Sequence, residues 1–154
     1  MLLRGDSAVD RFRKKGQHGA LTAQERHGFW LYESKGRCWR CHRGANFSDE
    51  EYHNTGVTWG KETADAGRHA VTKKEADRGK FKTPTLREVG RTGPYMHNGR
   101  FKTLAEVVQH YNFGGVTDEA NDYRDERLQV LYLVEEQVND LVKFLSEGLT
   151  TPSK

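Results

Sequence analysis

The chain has 154 residues and a formal net charge of +3, with 34% hydrophobic residues, 31% charged residues and a mean hydropathy of −0.91. No apolar run approaches the roughly 18 residues that a membrane span needs, which excludes a transmembrane protein, and the small basic excess is no nucleic-acid-binding signal by itself. The length suits one domain, but core-forming residues are few. We therefore expect a partner, or a group that is not a side chain, to fill the centre.

The chain begins with a polar segment. Residues 1–20 are interpreted as a basic N-terminal arm, loosely held and solvated. Residues 21–154 are interpreted as the folded domain. Its first helix is predicted to start after Thr22, because Thr22 and Glu25 have the spacing of a capping box, and to end near Gly36.

The middle of the chain has little hydrophobic periodicity. Residues 43–80 are predicted to be mostly loop, and a loop this long is usually functional or wrapped around something. A short helix is predicted over 84–89, with Thr83 as its N-cap and Pro84 at the first helical position. Residues 93–99 have the composition of a turn.

Two more helices are predicted in the last third of the chain. Thr103 and Glu106 form a second capping box, and the helix that follows is expected to run to about Asn112. The last helix is predicted over 134–147. Because no alternating strand pattern appears, the sequence predicts an all-α fold.

Residues 38–42 read C-x-x-C-H, the attachment signature of c-type haem. At this spacing Cys38 and Cys41 can form thioethers with the two vinyl groups of one porphyrin, and His42 is then held under the iron as the proximal ligand. A zinc site would need two further ligands, and a redox cysteine pair would not need His42. We therefore expect one covalently attached haem c, whose porphyrin accounts for the small share of core residues.

Covalent haem attachment normally takes place outside the bacterial cytoplasm, so we expect a periplasmic location. A signal peptide is expected too, but in the opening residues 1–6, MLLRGD, the apolar run is too short to be the apolar part of one. We expect that it has been removed or that the chain is a fragment of a longer product.

Two long segments resemble one family. Residues 21–57, LTAQERHGFWLYESKGRCWRCHRGANFSDEEYHNTGV, look like the opening of the C-terminal haem domain of bacterial dihaem cytochrome c peroxidases and the related MauG proteins. Residues 79–115, GKFKTPTLREVGRTGPYMHNGRFKTLAEVVQHYNFGG, are similar to the second signature of that domain, and the closing VEEQVNDLVKFLSEGL also fits. The resemblance implies an all-α, cytochrome c-like domain with long loops wrapped around one covalent haem.

The chain departs from the family in one large respect. Those enzymes carry two haem domains, of which the N-terminal one reacts with peroxide, whereas this sequence has a single C-x-x-C-H. The resemblance thus implies an electron-transfer domain that is a weak peroxidase alone, without catalytic residues of its own. Its redox partner protein is expected to be a second haem domain or a separate subunit. The alternatives are an independent monohaem cytochrome c carrier and a monohaem peroxidase.

The second axial ligand of the iron has four candidates, namely Met96, His97, His110 and Tyr111. In the peroxidases the methionine ligand lies fourteen residues after the histidine of a PY-x-H segment, and here that position is Tyr111. MauG proteins have a tyrosine there, so the resemblance implies Tyr111 opposite His42. His97 is expected to contact a haem propionate or to support the fold.

Helical periodicity leads to a similar expectation for Tyr111. Tyr111 shares one helix face with Leu104, Val107 and Val108, at i, i+3, i+4 and i+7. His110 lies about 100° further round the helix and is expected to face solvent. An ordinary core role for Tyr111, and ligation by Met96, remain the alternatives.

Overall fold

The computed structural model describes residues 5–14, 17–58, 65–115 and 121–152. The helices in chain order are α1 (Ala8–Arg13), α2 (Ala23–Glu33), α3 (His69–Thr72), α4 (Leu104–Asn112) and α5 (Glu135–Lys143). A π-helical turn, Phe144–Gly148, continues α5, and 3-10 turns lie at His18–Ala20, Cys38–Arg40, Glu75–Asp77 and Val89–Arg91. Two short strands, β1 (Tyr52–His53) and β2 (Phe81–Lys82), complete the elements.

The fold is mostly helical, as predicted, but it also contains a small antiparallel sheet. Tyr52 lies opposite Lys82, and His53 opposite Phe81. Strands of two residues are too short to leave an alternating pattern, which explains why the sequence does not reveal them. Within the described ranges, no helix is both long enough and apolar enough to cross a membrane.

Both predicted capping boxes are confirmed. The Thr22 hydroxyl accepts a hydrogen bond from the Glu25 amide at 3.2 Å, and the Glu25 carboxylate accepts one from the Thr22 amide at 2.7 Å. Thr103 and Glu106 make the same pair of bonds, at 3.2 and 2.8 Å. These reciprocal bonds satisfy backbone donors that the first turn of a helix leaves free, so α2 and α4 begin where the sequence places them.

The prediction of a helix over residues 84–89 is wrong. The carbonyl of Thr83 accepts a hydrogen bond from the Ser48 hydroxyl at 2.8 Å, and the Thr85 hydroxyl accepts one from the Arg87 amide at 3.2 Å. Glu88 then adopts a left-handed conformation with φ of +61°. Side-chain bonds of this kind compete with helical ones, and the segment forms turns that lead into the 3-10 turn Val89–Arg91.

The N-terminal segment is not loosely held, and this expectation is wrong for residues 5–14. Val9 in α1 is fully buried in the core. Asp10 accepts two hydrogen bonds from the guanidinium of Arg87, at 2.7 and 2.9 Å, and Arg87 is only 8% exposed. The local sequence does not predict this packing, because Arg87, the partner of Asp10, lies 77 positions further along the chain.

The core is centred on the contact between α2 and α5. Gly28 makes this approach possible, since a Cβ atom there would lie 2.1 Å from the carbonyl oxygen of Asp140 and 2.7 Å from Cβ of Phe144. The side chains buried in this core include Leu21, Leu31, Tyr32, Leu141, Phe144 and Leu149. The α2–α5 contact therefore fixes the helix that leads into the C-x-x-C-H segment.

We expect Gly28→Ala to lower the free energy of unfolding by about 1–3 kcal/mol, because the added methyl group must push α5 away from α2. Gly19→Ala is the matched control, since a Cβ atom at Gly19 meets nothing within 4 Å. Urea denaturation followed by circular dichroism would measure both variants. Equal effects of the two substitutions would contradict the proposed close packing.

Candidate haem-binding site

The C-x-x-C-H residues lie in one tight turn at the end of α2. The Gly36 amide donates to the Leu31 carbonyl at 2.8 Å and closes the helix. The amides of Cys41 and His42 then both donate to the carbonyl of Cys38, at 3.3 and 2.9 Å. The three residues predicted to attach haem therefore share one hydrogen-bonded turn.

The imidazole of His42 is oriented by the backbone. Its Nδ1 atom lies 3.1 Å from the carbonyl oxygen of Phe47, and a carbonyl can only accept, so Nδ1 carries the proton. Burial lowers the pKa of His42, which favours the neutral ring. Nε2 is then left with a lone pair, as a metal-ligating histidine requires. The hydroxyl of Tyr32 also donates to the His42 carbonyl.

The carbonyl that orients His42 belongs to a tightly held residue. Phe47 is 1% exposed and has a left-handed backbone with φ of +50°. The guanidinium groups of Arg13 and Arg87 each lie 5.3 Å from the centre of its ring, and Tyr32 contacts the ring edge-on. Cationic groups are attracted to the face of an aromatic ring, so these contacts hold Phe47 in place.

Arg87 links this loop to the N-terminal helix. Its Nε atom donates to the Ala45 carbonyl at 2.7 Å, while its two terminal nitrogens bind Asp10. Burial acts to raise the pKa of Asp10, but the bonds from Arg87 and Ser7 outweigh it and lower the pKa to about 2. The charged pair thus spans from α1 to the loop that carries the Phe47 carbonyl. The sequence offers no signal for this role of Asp10 and Arg87.

Cys38 and Cys41 are free thiols in different surroundings. Burial raises the pKa of Cys38 to about 12, so it is a neutral thiol. The sulfur of Cys41 lies within 4.8 Å of side-chain atoms of Asp49 and His53, a grouping that could suggest a metal site. Both ring nitrogens of His53 already lie within hydrogen-bond distance of carboxylates, so neither is free to face a metal.

His53 is the centre of a charged cluster beside Cys41. Its Nδ1 donates to Asp125 at 2.6 Å and its Nε2 to Asp49 at 2.9 Å, while Arg127 binds Asp125 at 2.9 Å. The hydrogen bond to Asp125 is the main cause that raises the pKa of His53 to about 10, and the nearby Cys41 sulfur and the bond to Asp49 raise it further. Burial acts to raise the pKa of Asp125, but its bonds from His53 and Arg127 outweigh burial and lower it. The cluster ties β1 and the segment between α4 and α5 to the turn that carries Cys41.

Tyr111, in the last turn of α4, lies near the cysteine pair. Burial raises the pKa of its phenol, so the Tyr111 side chain carries its proton in the chain without a metal. The ring of His110 contacts the Tyr111 ring edge-on, with 5.3 Å between the ring centres. The structure thus brings Tyr111 to the same region as Cys38 and Cys41, and its ligation to iron stays a prediction.

The expectation that His110 faces solvent is wrong. His110 is 8% exposed, and its Nε2 lies 3.1 Å from the carbonyl of Thr55. Helical periodicity identifies one buried face, but the loop around Thr55 covers a second side of α4. Burial lowers the pKa of His110, so it is a neutral ring that supports Tyr111.

His97 and Met96 lie in the predicted turn, which is confirmed and is closed by a bridge between Tyr95 and Phe101. The His97 ring stacks on Phe81 in β2, with 3.5 Å between the ring centres. This contact places His97 on the small sheet rather than on the cysteine turn. Its contact with a haem propionate stays a prediction, and so does Met96 as the alternative ligand.

Comparisons with known proteins identify the chain's relatives. No family model matches it. The cytochrome-c peroxidase IdrP1 of Denitromonas iodatirespirans is 37% identical over 166 residues, which cover 89% of this chain and 43% of that protein. The methylamine utilization protein MauG of Methylorubrum extorquens is 33% identical over 152 residues, which cover 99% of this chain and 42% of that protein.

Solved structures agree with these relatives. The crystal structure of a MauG-like protein associated with microbial copper homeostasis aligns with this chain at a TM-score of 0.83 and 28% identity. The alignment covers 96% of this chain and 49% of the MauG-like chain. The diheme peroxidase BthA from Burkholderia thailandensis, at 23% identity and a TM-score of 0.72, shares the fold.

The chain therefore belongs to the family of bacterial dihaem cytochrome c peroxidases and MauG proteins, which confirms the resemblance. It spans less than half the length of these relatives.

We expect Asp125→Asn to lower the free energy of unfolding by about 3 kcal/mol, because the substitution removes one partner from a buried charged cluster. Glu126→Gln, at an exposed neighbouring acid, should change it by less than about 0.5 kcal/mol. Urea denaturation at pH 7 would measure both, and similar small effects would contradict a stabilising role for the cluster.

His53 should also give stability a defined pH dependence. Because its pKa is raised from 6.5 to about 10, the protonated ring stabilises the fold fully below pH 6.5, and this contribution is lost as pH rises towards 10. The stability difference between the wild-type chain and His53→Gln should therefore narrow between those pH values. A difference that widens across this interval would be inconsistent with the cluster.

Proposed function

We propose that the chain is a c-type haem domain that transfers electrons, with one haem attached through Cys38 and Cys41 and ligated by His42. When bound, the haem supplies an iron centre that gains and loses one electron. The residues of the chain hold this group, orient its ligand and limit its contact with water. Family membership supports a haem peroxidase-like role.

The observation that carries the proposal is the hydrogen bond from Nδ1 of His42 to the Phe47 carbonyl. With Nδ1 directed to this carbonyl, Nε2 is the nitrogen that would ligate iron, which supports the proposal. A structural histidine could use either nitrogen for its bonds. Here the residue after a C-x-x-C pair has the tautomer that an iron ligand needs, and its backbone is anchored by Tyr32.

We propose Tyr111 as the second axial ligand. The Tyr111 phenol would have to lose its proton to hold iron as an anion, and burial, which raises its pKa, opposes that loss in the chain without a metal. An anionic oxygen ligand favours Fe(III), whereas a thioether favours Fe(II) and raises the potential. A histidine–tyrosine iron would thus accept electrons poorly and would suit exchange of oxidising equivalents with a second haem.

The proposed partner is a redox protein that carries the peroxide-reacting haem, as a second domain or as a subunit. The chain covers less than half of its relatives, whose names describe complete peroxidases. We propose that the chain alone is a weak peroxidase, and that it works in the periplasm, where c-type haem is attached.

The attachment of haem is tested on a denaturing gel stained for haem peroxidase activity. After co-expression with a cytochrome c maturation system, we expect haem to stay with the unfolded chain. In Cys38→Ser/Cys41→Ser it should be lost, because no thioether can form. Trp39→Phe, between the two cysteines, is the control that keeps both thiols. Loss of haem from the unfolded wild-type chain would contradict the proposal.

Replacement of the proposed tyrosine ligand tests the second axial position. We expect Tyr111→Phe to change the ferric absorption spectrum and to raise the reduction potential by at least about 60 mV, a tenfold change in a one-electron equilibrium. Tyr52→Phe, at an exposed tyrosine on β1, should change neither. If Tyr111→Phe leaves spectrum and potential unchanged, the ligand lies elsewhere and Met96 is the next candidate.

A further inference from the structure

A cleft of about 590 Å³ lies directly beside the haem-attachment turn. Six of its lining residues define it here as the basic cleft: Lys35, Arg37, Phe113, Arg124, Val130 and Tyr132. Arg37 immediately precedes Cys38, and Phe113 follows Tyr111 by two positions. The basic cleft is therefore bordered by residues next to both proposed ends of the haem site.

The three cations of the basic cleft donate to neutral acceptors. Lys35 donates to the Tyr132 carbonyl at 2.7 Å and to the Gln137 side chain at 2.8 Å. Arg37 donates to the Gln129 side chain, and Arg124 to the Gly114 carbonyl at 2.6 Å. These acceptors are neutral, and among the residues with described positions none of the three cations is in a salt bridge.

The rim of the basic cleft exposes large apolar side chains. Phe113 is 64% exposed and Tyr132 is 78% exposed. Tyr132 also has a left-handed backbone with φ of +52°, which is uncommon for a bulky residue, and Lys35 holds its carbonyl in that position. An aromatic residue held in a sparsely populated conformation and presented to solvent points to a binding role rather than to folding.

We propose that the basic cleft is the docking surface for an acidic redox protein that exchanges single electrons with the haem of this chain. The inference rests on the proposed electron-transfer function and names the partner by its chemistry. Fixed cations attract an acidic surface and accelerate encounter, while exposed aromatic side chains supply contact once the proteins meet. A partner seated there lies next to Cys38, to which the porphyrin would be bonded.

The electron exchange is a simple one-electron step. A reduced partner, such as an acidic iron–sulfur protein, loses one electron, and the ferric iron of this chain gains it. No bond forms or breaks and no proton is transferred. The basic cleft contributes by raising the rate at which the two proteins meet.

The experiment measures the reduction rate of the ferric, haem-loaded chain by stopped-flow spectroscopy with two reductants of opposite charge. Reduced plant-type ferredoxin serves as the acidic protein probe, and the methyl viologen radical cation as the small cationic probe. The variants are Lys35→Glu, Arg124→Glu and the double variant. Lys73→Glu is the matched control, because Lys73 also donates to a neutral carbonyl, at 2.7 Å, but does not line the cleft.

We expect the double variant to lower the second-order rate constant with ferredoxin by about tenfold or more at low ionic strength. The difference should shrink at about 1 M salt, where charges are screened over a few ångströms. The viologen rate should not fall, and Lys73→Glu should resemble the wild type. An unchanged absorption spectrum of the haem would show that the variants fold.

Two results would overturn the inference alone. In the first, viologen reduces every variant at the wild-type rate, and the cleft variants change the rate constant with ferredoxin no more than Lys73→Glu does. The other is a dimer in sedimentation that dissociates in Lys35→Glu, which would assign the basic cleft to a second copy of the chain. By contrast, failure of both reductants to reduce the loaded chain would overturn the electron-transfer function as well.

Discussion

The hydrogen bond between Nδ1 of His42 and the Phe47 carbonyl is the constraint on which the rest of the site depends. The bond can orient the imidazole only if the carbonyl itself is fixed. Phe47 has a left-handed backbone that costs roughly 1–2 kcal/mol, so neighbouring groups must stabilise it. Tyr32 from α2 and the cation of Arg87 do so, and each of these groups is in turn held by another element.

Charged pairs tie together segments that the small apolar core leaves apart. Asp10 and Arg87 join α1 to the loop after the cysteines, and His53 with Asp125 joins β1 to the segment between α4 and α5. Burying charge is costly, and such pairs are weak evidence for high stability. Removing either member of a pair would leave the other charge buried without its partner, which is costly. Each pair therefore fixes the relative position of the two segments that carry it. The candidate site is thereby held by specific, long-range contacts rather than by a thick hydrophobic layer.

The parts of the fold that depend on neighbours in sequence could be predicted, and those that depend on distant partners could not. Thr22 and Thr103 begin their helices as expected, because each cap finds its glutamate three residues away. The helix predicted after Thr83 fails because Ser48 takes its carbonyl, and the exposure predicted for His110 fails because Thr55 covers it. For the candidate site, the C-x-x-C-H spacing predicts the residues, and their haem binding stays a prediction, but the support from Phe47, Asp10 and Arg87 has no local signature.

The link between Asp10 and Arg87 has a practical consequence for protein engineering. A fragment that starts at residue 21, where the haem-domain resemblance begins, loses the carboxylate that faces a guanidinium only 8% exposed. The same guanidinium holds the Ala45 carbonyl, two positions from Phe47, whose carbonyl orients the proposed iron ligand His42. A boundary chosen from sequence similarity would therefore disturb the orientation of His42 from a distance. Affinity tags and truncations are better placed at the exposed Gly5 or Asp6 than after Ser7, which is buried.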